Sequence, residues 1–178
     1  SGWVRQQIGT RNYVYVKFLD SNTGYMIGSD GAILRSSNGG LSWIVQSTSF
    51  FVLPVKSGFV YNDQMFGIIS GGTASGRVYI TTNAGNNWKA GDDIIPIGGV
   101  GSIWLRGVFI VNQSMAFTYG SDYGPNANPY VDGIVYKTTN AGLNWFQSDR
   151  GGFENYDLIA KDELNAARNG NAFLRTSD

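Results

Sequence analysis

Ser36-Ser37-Asn38-Gly39-Gly40-Leu41-Ser42-Trp43 is the first of three renderings of one phrase. Thr81-Thr82-Asn83-Ala84-Gly85-Asn86-Asn87-Trp88 and Thr138-Thr139-Asn140-Ala141-Gly142-Leu143-Asn144-Trp145 are the others. The shared frame is Ser/Thr-x-Asn-x-Gly-x-Ser/Asn-Trp. Each copy closes one β-branched, aromatic run and precedes another, so it reads as a hairpin turn with a Trp just beyond it. Asn tolerates a turn and supplies a side-chain acceptor, Gly supplies a positive φ, and Trp brings a large area to bury. Self-similarity at this interval is the signature of a repeat architecture.

Working outward, the phrase sits in a longer grammar. Tyr13 to Phe18 alternates as a strand does, Asp20 to Gly24 is turn chemistry, and Tyr25-Met26-Ile27 is a second strand. A turn over Gly28 to Gly31 leads to Ile33-Leu34-Arg35, the phrase, and a fourth strand. The pattern recurs, with Asp20, Asn62, Asn112 and Asp162 at the first turn and Gly31, Gly76, Gly133 and Asn171 before the third strand. That second column predicts positive φ. Asp162 to Arg168 has helical propensity, but its place in the columns predicts strand.

The fourth repeat stops at Thr176-Ser177-Asp178, the opening of a phrase, while Trp3 to Gln6 reads as a phrase's end. The tryptophans of the phrase, Trp3, Trp43, Trp88 and Trp145, stand 40, 45 and 57 residues apart. The chain therefore reads as one domain over 1–178. Its repeats are roughly 7–46, 47–91, 92–149, and 150–178 joined to 1–6.

Thirteen basic and thirteen acidic side chains cancel, so no overall field favours nucleic acid or an anionic membrane. Without Cys or His, disulfides and thiol or imidazole–zinc chemistry are excluded. The apolar runs are too short for membrane insertion as helices. Abundant Gly and 14% aromatics suit an all-β protein with many tight turns.

The phrase resembles the Asp-box, or BNR repeat, of β-propellers, with Asn or a terminal Asp at the acidic position. Leu19 to Gly31, followed by Ile33 to Gly40, is similar to one branch, the photosystem II assembly/stability factor-like family. Its repeats are also common in exported bacterial proteins. The resemblance covers essentially the whole chain and implies a β-propeller of four-stranded antiparallel blades, with the phrase at each turn between third and fourth strands. It implies a structural role for Ser36, Asn38, Gly40, Trp43, Thr81, Asn83, Gly85, Trp88, Thr138, Asn140, Gly142, Trp145, Thr176, Asp178 and Trp3. Four repeats predict four blades, the last completed by the N-terminal strand. A larger ring shared by two chains, a piece of a longer propeller, and a strand passed to a neighbour stay open.

The longest insertion, Gly120 to Gly133, offers Asp122, Tyr123, Asn126, Asn128, Tyr130 and Asp132 as a candidate binding loop. Its tyrosines can stack on a sugar ring or another flat partner, and Asp122 with Asp132 supplies oxygen ligands of the kind calcium takes, although the spaced-ligand pattern is missing. Arg35, Lys137 and Arg175 share one repeat column and are a candidate basic surface. Trp104, in an otherwise aliphatic strand, reads as core. Asp92-Asp93 and Asp162-Glu163 read as turn residues rather than catalytic pairs.

The expected function is a non-enzymatic binding or assembly module, secreted, periplasmic or at the cell surface, recognising a protein or glycan through its loops. No cofactor or metal is expected. The alternative is a self-assembling protein whose split blade joins subunits into a multimer or filament. A sialidase-like enzyme is third: that resemblance requires six blades and an arginine triad, and four repeats are too few.

Overall fold

Four antiparallel meanders follow one another along the chain, and no helix occurs among the described residues. The computed structural model describes residues 8–48, 54–71, 74–96, 98–124 and 132–151, with the backbone of three further strands between 158 and 175. The first sheet holds β1 (Tyr13–Phe18), β2 (Gly24–Gly28), β3 (Ile33–Ser36) and β4 (Ile44–Ser47). The second holds β5 (Val55–Val60), β6 (Phe66–Gly71), β7 (Gly76–Thr81) and β8 (Lys89–Ala90). The third holds β9 (Ile103–Ile110), β10 (Ala116–Asp122), β11 (Asp132–Thr138) and β12 (Phe146–Arg150). A three-stranded sheet follows, with β13 (Leu158–Ala160), β14 (Asn165–Arg168) and β15 (Phe173–Arg175). Asn165–Arg168 is thus strand, as the repeat columns require.

Burial follows strand order. β2 and β6 are covered on both faces and read as near-continuous apolar runs, whereas β4, β8 and β12 lie at outer edges and are largely exposed. First strands meet across successive sheets, β1 against β5, β5 against β9, and β9 against β13. Tyr15, Phe59 and Phe109 run along them as a ladder, with ring centroids 6.3 and 4.7 Å apart. Tyr25, Ile27 and Ile33 of the first sheet pack with Val60, Phe66 and Ile68 of the second. Ile69, Val78 and Ile80 pack in turn with Leu105, Val108, Ile110 and Ile134 of the third.

The glycine column before the third strand has two explanations where one was expected. Gly31 has φ +82°, but Gly76 and Gly133 lie within extended strands without positive φ. Gly76 is small because the next sheet is close: a Cβ there would fall 2.5 Å from Leu105 Cγ. Close approach, rather than handedness, selects glycine at that position.

Candidate functional site

The molecule has two unlike ends. At one, the repeated phrase and the first turn of each of the first three sheets are bonded to each other. Gly39 N–H donates to Asn22 O at 2.9 Å, Ala84 N–H to Gln64 O at 2.8 Å, and Ala141 N–H to Ser114 O at 2.8 Å. The first turns are built by Asx side chains: Asp20 Oδ1 accepts from Asn22 and Thr23 N–H, both at 2.7 Å. Asn62 and Asn112 do the same for the residues two and three ahead.

Inside the phrase, Ser36 Oγ accepts from Asn38 N–H at 3.3 Å and Gly40 N–H at 2.9 Å, and Asn38 Oδ1 accepts from Ser42 N–H at 2.9 Å. Thr81 with Asn83, and Thr138 with Asn140, repeat this arrangement. Gly40, Gly85 and Gly142 have φ of 84–86°. Ala84 and Ala141, each at φ 57°, are also left-handed, which the sequence does not announce. Trp43 and Trp145 donate Nε1–H to the carbonyls of Gly40 and Gly142, both at 3.1 Å.

The phrase also reaches backwards. Trp88 packs in the core between first and second sheets, and Trp145 in the core between second and third. Ser47 of β4 donates its hydroxyl to Gly85 O at 2.7 Å, and Asn144 donates Nδ2–H to Asp92 Oδ2 at 2.8 Å. Each of these two phrases is therefore tied to the sheet before it. Thr176, Asp178 and Trp3 lie outside the described residues.

The opposite end carries the long connections. Asp122 closes β10, Asp132 opens β11, and the two are register partners. Arg150, at the end of β12, donates Nη1–H to Asp122 Oδ2 and Nε–H to Asp132 Oδ2, both at 2.8 Å. Asp122 is 1% exposed, and its other oxygen accepts from Gly124 N–H at 2.9 Å. The two carboxylates hold an arginine and pin the base of the insertion. Among the described residues no cluster of three or more candidate metal ligands occurs. Asn126, Asn128 and Tyr130 lie outside the described residues.

Of the basic column, Arg35 and Lys137 are half-buried. Arg35 Nε–H donates to Tyr25 Oη at 3.2 Å, and Lys137 stands 6.0 Å from the Phe117 ring. Arg175 is placed in β15 by its backbone. Lys17, on the hub strand β1, donates to Val60 O at 2.9 Å beside the Phe59 ring, and burial lowers its pKa.

Trp104 is not core. It is 46% exposed, and the cause is a bulge in β9. Register against β10 skips Arg106, so facing parity flips there. Ile103 and Leu105 turn inward with Val108 and Ile110, and Trp104 turns out. Its ring lies 5.8 Å from that of Tyr123 at 57°, and Lys56 Nζ lies 5.6 Å from its centroid. Tyr123 N–H donates to Ser102 O at 2.8 Å, which ties the loop base to the segment leading into β9. Beside Lys56 the second and third sheets meet at a shallow surface crease over Ile69, Ser70, Gly71, Gly76, Ile103 and Leu105. The sequence held no signal for Lys56, an ordinary lysine at a strand start.

Among solved structures, the fold is similar to YCF48 bound to a D1 peptide, at 18% identity and TM-score 0.52, covering 78% of this chain and 39% of that one. A GH74 xyloglucanase from Xanthomonas campestris is similar at 14% identity and TM-score 0.60, covering 88% of this chain and 26% of that one. An ancestral GH74 enzyme is similar at 18% identity and TM-score 0.55, covering 88% and 21%. The fold is that of a β-propeller repeat. The chain spans about two fifths of the YCF48 chain and about a quarter or less of the two GH74 chains. No family model matches it, nor does any curated protein.

Proposed function

We propose that this chain is a non-enzymatic propeller module that takes a protein partner on its loop-bearing end, and that its phrase is an Asp-box serving as a structural fastener. One observation carries the binding reading: the exposed Trp104 and the half-buried Tyr123 form an aromatic pair at the pinned base of the longest insertion. Loops held on a rigid scaffold are where binding residues collect. YCF48, bound to a D1 peptide, is of similar fold. Asp122 and Asp132 face each other, but Arg150 holds both and Asp122 is 1% exposed, which does not suit the acid and base of glycoside hydrolysis.

The test presents the full chain to a peptide array and a glycan array, with reducing-end release from xyloglucan assayed in parallel. Retention on peptides, lost in the Trp104→Ala/Tyr123→Ala double variant, is expected. Release of reducing ends, or retention on glycans alone, would sink the reading.

Self-assembly is a second reading, favoured by the outer edge strands, where Ile44 and Val45 of β4 and Phe146 of β12 are exposed. Such edges are templates for another strand. A single monomeric mass by light scattering across a wide concentration range counts against it.

A further inference from the structure

Resting on the protein-binding reading, we propose that Lys56, Trp104 and Tyr123 form a docking site for an acidic peptide segment with an apolar side chain beside its carboxylate. Three observations converge on it.

The first is the aromatic surface. The bulge that turns Trp104 out of β9 leaves an indole at a solvated position where a polar residue would serve the fold equally well. Val100, 63% exposed, lies at the same place and widens the apolar area. The surface is held in advance: Tyr123 is bonded through its backbone to Ser102, and the backbones at Gly101 and Gly124 approach so closely that a Cβ on Gly101 would lie 2.5 Å from Gly124 Cα. A preorganised aromatic pair loses little freedom when it binds.

The second is charge. Cations around this end are matched: Arg11 by Asp30 at 2.7 Å, Arg77 by Asp93 at 2.6 Å, and Arg150 by two aspartates. Lys56 is exposed, and among the described residues its partner is the Trp104 ring rather than a carboxylate. Lys56 therefore presents an ammonium over an aromatic face and not against a carboxylate, which is complementary to an acidic group on a partner.

The third is shape. Lys56 stands at a shallow crease floored by the buried Ile69, Ser70, Ile103 and Leu105, so the surfaces open to a partner are those of Lys56, Trp104 and Tyr123 themselves. Lys56 lies over the indole and Tyr123 leans in at 57°, so the walls are angled rather than offering the flat platform a sugar ring stacks upon. Angled apolar walls beside a cation fit a branched or aromatic side chain next to Asp or Glu.

The experiment selects random linear peptides displayed on phage against the full chain, then measures the commonest as a synthetic peptide beside its Asp→Asn, Glu→Gln analogue. Selected peptides should pair Asp or Glu with Leu, Phe or Trp, and the neutral analogue and raised salt should both weaken binding. Lys56→Glu and Trp104→Ala should each weaken the acidic peptide by about tenfold or more, whereas Lys89→Glu on the outer strand β8 should change it less than about twofold. Lys56 and Trp104 are exposed, and circular dichroism melts confirm that the variants fold. Peptides lacking acidic residues, or binding that Lys56→Glu and Trp104→Ala leave intact, overturn this site while a protein-binding module stands. A library yielding no binder, beside an acidic glycan retained in a Trp104-dependent way, overturns both.

Discussion

Thr138 is fully buried, yet its hydroxyl accepts from two backbone N–H groups, at 3.3 and 3.0 Å, and donates to Asn140 Oδ1 at 2.9 Å. A buried donor left unpaired costs its full desolvation. Thr138→Val keeps the volume and removes the acceptor, so it should cost about 1–3 kcal/mol, read as a lower urea midpoint at constant slope. An unchanged midpoint would mean that the turn does not need the hydroxyl. Asp20 makes the complementary case at the first turn. Its carboxylate is held below the usual range by the N–H groups of Thr23 and Asn22. With a depressed folded pKa, its contribution is present above the unfolded value of about 3.9 and is lost as pH falls through the folded pKa. Asn62 and Asn112 build the same turn without charge, so Asp20→Asn should fold normally and flatten the acid limb of Tm against pH. An acid limb as steep as the wild type's would show that Asp20 contributes nothing to it. At this scale much was legible. The Asx acceptors and the positive φ of Gly40, Gly85 and Gly142 follow from residue type, whereas Ala84 and Ala141 are forced into the left-handed region by the bonds around them.

Among elements, the tryptophans of the second and third phrases join sheets, whereas Trp43 packs on Met26 and Leu34 of its own sheet. Trp145 lies in the core shared by Val78 and Ile80 of the preceding sheet with Ile110 and Ile134 of its own. Trp145→Ala should therefore cost about 3–5 kcal/mol. Hydrogen exchange should quicken in β7 and β11, on the two sides of that joint, more than in β2 and β3. Uniform loss of protection would argue against a localised joint. Strand identity was readable from alternation and repeat columns, even where Asn165–Arg168 had helical composition. The direction of Trp104 was not, because one bulged residue at Arg106 inverts parity and the adjacent strand glycine, Gly107, is its one local mark. Lys56 escaped notice for a related reason: its meaning comes from a ring on the next sheet, 48 positions away in sequence.

Across the whole molecule, the succession of antiparallel sheets was legible in the repeat. The pairing of Arg150 with both ends of the insertion was not, since it depends on register between three strands. One feature of the assembly has a broader consequence. Ser47 binds the carbonyl of Gly85 on the phrase that follows it, and Asp92 accepts from Asn144 on the phrase after that, so donor and receiver surfaces differ at each joint. Such a contact has a direction, as a head-to-tail link does. Copying one unit supplies both halves of a new joint at once, so duplication extends the array without inventing an interface. The number of units is then decided by the turning angle between neighbours. Meanwhile an insertion such as Gly120 to Gly133 can lengthen while the same coupling is inherited unchanged.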